Sequence, residues 1–419
     1  MANERLTNAK KGKKDEFYTL FEDIQREINA YLEYNPNVFR NKTILLPCDD
    51  PEWSNFTRFF AQNFERLGLK KLISTSYATD SKNNNLVEQL SIFDYITDFE
   101  KKSPQYNEKI TSSHGKIFIL EKDNNNSGKI DIDDLEWKYL QGDGDFRSKE
   151  IKKLRDESDI IVTNPPFSLF REFLSWIMEA NKQFLIIGNI NCISYKEVFP
   201  LIRDNKLWAG CRFNERVNGK NQTFRVPDSY PLSGTELFVG NDGHKYISVA
   251  GIAWYTNMEH GRRHQKLPLM TEKDNIKYSS HAEIRNKFYR KIDNYDAIEV
   301  PYTDAIPSDY NGNMAVPITF LKYFCPQQFE IVCLAPERAE QGKEKYQIKK
   351  YNNAIQHNAD GTTQVGNKVN DGPAILYKTL EELYKFNSIK KPYYTADNVN
   401  GYLSVEYARI IIRRKTDEN

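Results

Sequence analysis

The sequence predicts an α/β protein: a doubly wound, mostly parallel sheet covered on both faces, followed by a second domain. Three observations carry this reading. The apolar runs Thr43-Ile44-Leu45-Leu46, Ile160-Ile161-Val162 and Phe184-Leu185-Ile186-Ile187 are near-continuous, as strands buried on both faces must be. Segments with helical spacing stand between them, so strands and helices alternate. The chain of 419 residues is also two to three times a usual domain of ~100–200 residues.

Taken in order, residues 1–40 open with the basic run Lys10, Lys11, Lys13 and Lys14 and continue with Phe17, Leu20, Phe21, Ile24, Ile28 and Leu32. A basic tail leading into an amphipathic helix fits this spacing. The first domain is expected over 41–257. Its first strand, Thr43–Leu46, is followed by a turn and then by Trp53, Phe56, Phe60, Phe64 and Leu67 at helical spacing. Asp50 suits the N-cap there, Pro51 the first helical position and Gly68 the stop. Leu72–Tyr77 reads as the second strand.

From about 78 to 137 the sequence is rich in Asn and Asp and reads as a polar insertion, broken by a strand at Lys116–Leu120. Regularity returns with a helix over Glu150–Asp156, the strand Ile160–Val162, a helix over Ser168–Asn181 and the strand Phe184–Ile187. Glu236–Val239 and Ile247–Tyr255 are expected to form an antiparallel hairpin closing the sheet. Beyond Met258 neither period is sustained, and 258–419 is expected to be a second domain.

Composition excludes several classes. With 28% charged, 39% hydrophobic and 13% aromatic residues, the chain is too apolar for disorder. Its 59 Lys+Arg nearly cancel 58 Asp+Glu, so global charge names no partner. No apolar run is long enough for a membrane span, and Met1–Lys14 has no signal-peptide core, so a cytoplasmic protein is expected. Cys48, Cys192, Cys211, Cys325 and Cys333 are odd in number and scattered, as free thiols would be.

The sharpest chemical signal is Asp159-Ile160-Ile161-Val162-Thr163-Asn164-Pro165-Pro166-Phe167, a strand that stops on Asn-Pro-Pro-aromatic and restarts as a helix. Two prolines force the chain out of the sheet in an extended path. In a parallel sheet the carboxyl ends of strands bind ligands. A carbonyl, an Asn side chain and an aromatic face held there suit a planar substrate that carries an amino group. Two acceptors on the amino hydrogens would localise its delocalised lone pair, and the ring would stack. The plainer reading is a strand-ending turn in which Asn164 caps the helix. Upstream, Gly142-Asp143-Gly144-Asp145-Phe146 offers permissive backbone, a carboxylate and an aromatic, suited to an adenine, although Gly-Asp pairs are also ordinary turn material.

With these blocks the sequence resembles the EcoRI-type adenine-specific DNA methyltransferases. The likeness runs through Asp15–Thr19, Asp49 to Phe56, Gly142–Ser148, Asp159 to Phe173, Ala315–Phe320, Gln328–Ile331 and Ile410–Arg414. Asn-Pro-Pro-Phe alone marks only amino-group methyltransferases; the other blocks narrow it. The resemblance implies a Rossmann-like methyltransferase sheet, with 258–419 as a target-recognition region, S-adenosyl-L-methionine as cofactor and double-stranded DNA as partner. In a prokaryotic cell it implies either an orphan methylase or one member of a restriction-modification pair; in a pair the cognate restriction endonuclease would be a separate chain, since no nuclease motif is visible. By the same resemblance Asn164, Pro165, Pro166 and Phe167 bind a flipped-out adenine. Asp145 and Phe146 hold the cofactor's adenine, and Tyr18 and Thr19 its methionine end. Where that fold has a glycine-rich first turn, this chain has Leu46-Pro47-Cys48-Asp49-Asp50-Pro51, with Asp49 placed to meet the methionine amino group. The acid that this fold places at the end of the second strand to bind the ribose is missing directly after Tyr77.

Phosphate contacts are expected from Lys13, Lys14, Arg262, Arg263, Arg413 and Arg414. No metal is expected. Asp123–Asp134 has the spacing of a calcium loop at several positions but reads as an Asn/Asp/Gly turn cluster. His260 and His264 read as part of a basic loop. Two other functions are compatible with parts of the sequence: an amino-group methyltransferase acting on RNA or on a protein amide, and a catalytically idle DNA-binding module.

Overall fold

A computed structural model describes residues 18–49, 54–78, 105–215, 221–226, 237–336 and 346–415. The chain divides into two units, Met1–Cys192 with Ala209–Gly261, and Ile193–Trp208 with Arg262–Asn419. The excursion of Ile193–Trp208 into the second unit has no counterpart in the sequence reading.

The first unit opens with β1 (Tyr18–Thr19) and α1 (Phe21–Tyr34). It continues through β2 (Thr43–Leu46), α2 (Asn55–Gln62), α3 (Phe64–Leu67), β3 (Lys71–Ser76), β4 (Lys116–Leu120), β5 (Glu136–Tyr139) and α4 (Lys149–Glu157). Then come β6 (Ile160–Thr163), α5 (Phe170–Glu179), β7 (Gln183–Asn189), β8 (Trp208–Phe213), β9 (Gln222–Val226), β10 (Leu237–Val239), β11 (Lys245–Val249) and β12 (Ile252–Thr256). Eight of these strands form one mixed sheet in the order β5-β4-β3-β2-β6-β7-β12-β8. The run β3-β2-β6-β7 is parallel, whereas β4 and β12 are antiparallel to their inner neighbours. Strand order therefore reverses between β2 and β6.

Side chains alternate across a sheet. Ile44, Leu46, Ile160, Val162, Leu185, Ile187, Ile252 and Trp254 share one core cluster with Ile24 and Ile28 of α1 and Phe56, Phe59 and Phe60 of α2. Their neighbours Leu45, Ile161, Phe184 and Ile186 point the other way and are equally buried, so both faces are covered. On that second face Phe170 of α5 meets Tyr255 with ring centroids 5.3 Å apart.

Several local expectations are corrected. The pattern over Trp53–Leu67 is two helices broken at Asn63, and the cap of the first is Ser54, whose hydroxyl accepts from Phe56 N. Asp50 and Pro51 lie outside the described residues. Gly68 does end the pair, in the left-handed region at φ +63°. The strand expected within the insertion is no isolated feature, because β4 pairs with β3 and β5 extends the sheet beyond it. The expected hairpin instead belongs to two sheets. β10 and β11 pair in a small sheet of order β1-β9-β11-β10, and only β12 joins the main sheet. The break falls at Gly251, φ +74°, a conformation that costs glycine little.

At the outer edge of the main sheet, α1 is fastened to β8. Glu27, fully buried, accepts from the backbone N–H of Cys211 (2.8 Å) and Arg212 (2.7 Å) and from the Tyr31 hydroxyl (2.9 Å). Burial pushes its carboxyl up to about 7 from 4.5, against the opposing pull of these bonds. One turn earlier on α1, Asp23 pairs with Arg212 at 3.0 Å. Burial also raises the Asp23 carboxyl, with Arg212 opposing.

The second unit contains two five-stranded sheets. One has β13 (Lys291–Ile292), β14 (Ala297–Glu299), β15 (Met314–Pro317), β16 (Phe329–Ala335) and β22 (Arg409–Arg414). In it β22, whose Ile410, Ile411 and Ile412 are buried, lies between β15 and β16. The other sheet is built from five short strands, β17 (Ile355–His357), β18 (Thr363–Val365), β19 (Ala374–Tyr377), β20 (Tyr393–Thr395) and β21 (Tyr402–Val405). No helix among the described residues is long and apolar enough to cross a membrane.

Candidate active site

The carboxyl ends of β2, β3, β5 and β6 converge on one rim of the main sheet, because β2, β3 and β6 are mutually parallel and β5 returns to the same direction through β4. The rim contains the reversal between β2 and β6. Adjacent strands whose crossovers leave in opposite directions open a crevice at such a point.

On the β6 side, the strand ends at Thr163 because Pro165 has no N–H to continue the ladder and restricts Asn164 to extended backbone. Pro166 is extended as well (φ −53°, ψ 122°), and the chain then tightens into a 3-10 turn, Phe167–Leu169, before α5. Asn164 and Phe167 are half-buried at the rim, and Phe167 rests against the core cluster.

On the β2 side stands Asp49, 5% exposed. Its carboxylate accepts at Oδ1 from the Ser54 hydroxyl (2.6 Å) and at Oδ2 from the Thr163 hydroxyl (2.6 Å). Its backbone N–H donates to Thr75 O at 3.1 Å, and its carbonyl accepts from the Ser74 hydroxyl. Asp49 thus ties together the ends of β2, β3 and β6 and the start of α2. Beside Ser54, the Asn55 amide donates to Thr19 O at 2.8 Å, which brings β1 into the same network. There Tyr18 and Thr19 pair with Arg225 and Phe224 of β9.

The Gly142–Phe146 loop follows β5 and lies against the end of β3. Ala78 N donates to Asp143 O (2.7 Å) and Gly115 N to Gly142 O (2.9 Å). Gly144 has φ +85°, and a Cβ on it would sit 2.3 Å from Ser76 O, so the close approach needs glycine. Two residues expected to face a ligand are already engaged. Asp145 accepts from the Arg147 side chain at 2.8 and 2.5 Å and from its backbone N–H at 2.8 Å. Burial pushes the Asp145 carboxyl up, but the hydrogen bonds and charge of Arg147 outweigh it and hold it below the usual range. Phe146 is 6% exposed, with its ring edge-on to Phe173 and Trp176.

The structure therefore gathers Thr19, Asp49, the 142–146 loop and Asn164–Phe167 at one rim, though in sequence they are spread from residue 19 to residue 167. Sequence reasoning missed Ser54, Asn55, Ser74 and Thr163. For Thr163 a signal existed: it is the one hydroxyl ending an apolar strand directly before Asn164.

The basic residues fare differently. Lys13 and Lys14 lie outside the described residues. Arg262 is exposed, but the expectation for Arg263 is corrected: it is 4% exposed, stacked 3.8 Å from the Trp208 ring and bonded to Asn205. A guanidinium with a ring face and an amide as partners is a packing element. Arg413 is bonded to Asn313 Oδ1 (3.0 and 3.2 Å) and to Glu330 (3.2 Å), and Arg414 is half-buried. In the Asp123–Asp134 segment the acids turn on their own backbone. Asp123 accepts from Ser127 N and Gly128 N, and Asp134 from Asn124, Asn125 and Asp131 N. His260 is buried against Ala209 O and the edge of Tyr31, while His264 is exposed and bonded to Gln327. Among the described residues no cluster of His, Cys, Asp and Glu could hold a metal.

Comparison with known proteins places the chain in a family. The family model described as "Adenine-specific methyltransferase EcoRI" matches residues 5–415. The Type II methyltransferase M.EcoRI of Escherichia coli is 42% identical over 330 residues, 79% of this chain and 89% of that protein. M.MpnI of Mycoplasma pneumoniae is 35% identical over 335 residues, and M.MgeORF184P of Mycoplasma genitalium 36% over 333; each alignment covers 79% of this chain and 86% of the relative. No solved structure matches the chain.

Proposed function

The chain belongs to the adenine-specific EcoRI methyltransferase family and methylates adenine in DNA at specific sites, and from that premise we propose that the crevice between β2 and β6 is where the transfer occurs. The observation that carries this is the Asp49–Thr163 hydrogen bond, which brings the end of β2 to the residue directly before Asn164. The eight strands read as a Rossmann-like methyltransferase sheet, and the second unit as the target-recognition region.

The donor set suits S-adenosylmethionine. Asp49 lies at the crevice with a hydroxyl donating to each carboxylate oxygen, which holds a negative charge at a fixed orientation toward an ammonium. Tyr18 and Thr19 stand beside the same network through Asn55. Asp145 and Phe146 are assigned to the cofactor's adenine, with Arg147 giving up or sharing the Asp145 carboxylate. Bound S-adenosylmethionine supplies a methyl group made electrophilic by its sulfonium.

The chain's own work is then positioning and polarisation. The Asn164 amide oxygen and the Pro165 carbonyl accept the hydrogens of the adenine amino group and concentrate the nitrogen lone pair, while Phe167 stacks on the ring. Extruding the base from the duplex costs roughly a few kcal/mol, part of which stacking offsets. Arg262 and the basic N-terminal residues Lys13 and Lys14 are assigned to phosphate. The enzyme acts in the cytoplasm of a prokaryotic cell, beside a separate cognate endonuclease.

Incubation of the pure protein with methyl-labelled cofactor and separate DNA, RNA and protein pools tests this. Label is expected in DNA adenine alone, and label in RNA or protein without DNA would overturn it.

A further inference from the structure

Thr163 carries no side-chain function in the mechanism above, yet it occupies a position where the two halves of the site touch. It is the last residue of β6, its side chain is fully buried, and its hydroxyl donates to Asp49 Oδ2 at 2.6 Å. Asp49 lies beyond the end of β2, 114 positions earlier in the chain. The bond therefore closes the crevice floor at the strand reversal, where the main chain leaves β2 and β6 without a shared ladder. The registered pairs between these strands are Ile44↔Ile160 and Leu45↔Ile161, which end before residues 47–49 and 162–164.

We propose that Thr163 is a positioning residue that couples cofactor binding to the catalytic loop. Its hydroxyl fixes the Asp49 carboxylate in the orientation that receives the cofactor's ammonium, and the same bond sets where the backbone enters Asn164. Ser54 holds the other oxygen from the cap of α2, so the carboxylate plane is pinned at both ends. With the Thr163 hydroxyl removed, Oδ2 loses the bond that ties it to the end of β6. A charge-assisted bond of this length is among the stronger ones. The inference rests on the crevice being the site of transfer.

The test compares full-length wild-type protein with Thr163→Val, Thr163→Ser, Asp49→Asn and the double variant Asp49→Asn/Thr163→Val. Calorimetry reads S-adenosylmethionine affinity, single-turnover methylation of a duplex reads the chemical step, and anisotropy reads duplex binding. Thr163→Val is expected to weaken cofactor binding on the order of tenfold, to slow methylation as well and to leave duplex affinity unchanged. Thr163→Ser should restore both losses to within about twofold, since it keeps the donor. The double variant should be no worse than Asp49→Asn alone. Wild-type cofactor affinity in Thr163→Val, a Ser variant as poor as Val, or independent multiplying losses in the double variant would each overturn the proposal. Should Thr163→Val fail to fold, Thr163→Ser and Asp49→Asn still decide it through cofactor affinity: loss in Ser, or none in Asn, overturns it. Asn164→Ala measured alongside separates the two levels, because full activity there overturns the assignment of the crevice itself.

Discussion

Two buried carboxylates in the first unit accept hydrogen bonds against the same sheet, and they do different things. Glu27 meets β8 at the sheet's outer edge, where two successive backbone amides need an acceptor, and it takes both together with a phenol. Asp49 meets β2 and β6 at the strand reversal, and two side-chain hydroxyls donate to it, one from a helix cap and one from a strand end. Backbone donors are spent on holding the fold. Hydroxyl donors from two separate elements hold the carboxylate's orientation. Burial and acidity alone do not distinguish the two positions; the donors and the local strand order do.

The contrast predicts that damage at the crevice lowers turnover at unchanged stability, and damage at the β8 edge does the reverse. The largest effect is expected from Asn164→Ala. Single-turnover methylation should fall on the order of 10²- to 10³-fold, by analogy with losing one preorganised polar partner, with cofactor affinity and melting temperature nearly kept. A loss confined to cofactor affinity would remove Asn164 from the chemistry.

Next comes the edge. The Glu27 carboxyl holds its proton more tightly in the folded state, so its contribution to stability is full below about 4.5 and is lost as the pH rises through about 7. The loss is on the order of 3 kcal/mol. Urea midpoints at pH 5 and pH 8 should show a decline in wild type that Glu27→Gln lacks, and parallel declines in the two would refute the assignment.

A smaller effect is expected at Arg147, whose side chain is half-exposed. Arg147→Ala should cost under ~1 kcal/mol of unfolding free energy by urea titration. If Asp145 serves the cofactor, calorimetry on this variant should show affinity retained or improved. The smallest expectation concerns Asp123–Asp134, whose acids already receive backbone amides. Adding millimolar calcium or a chelator should leave the melting temperature unchanged, and a calcium-dependent rise would mark a site there.

The legible parts of the fold were those set by local pattern. The buried strands β2, β3, β6 and β7, helix α5 and the Asn164–Phe167 stop all announce themselves within ten or so residues of sequence. What escaped depends on partners far along the chain. Glu27 is bonded to residues 184 and 185 positions away, and its only local trace is an acid set into the Ile24, Ile28, Tyr31 stripe. Arg263 reads as a surface cation because nothing nearby reveals that Asn205 and Trp208 will cover it. Ser54 was passed over because Asp50 and Pro51 satisfy the same capping preferences four residues sooner. For the candidate site, Asn164–Phe167 and the Gly142–Phe146 loop were readable as blocks. Of the hydroxyls that join them, only Thr163 had a trace, its place directly before Asn164; Ser54 and Ser74 had none, since a lone Ser carries no spacing signature.

The junction at Ala250–Gly251 has a consequence for how this chain can vary. Two residues separate β11 of the small sheet from β12 of the main one. On β12, Trp254 belongs to the α1–α2 face while Tyr255 meets Phe170 on the other. One inserted residue would exchange those two aromatics between faces or pull Phe224, Ile247 and Val249 of the small sheet off the core. That junction is thus a ruler: its length can change only where both sheets change with it.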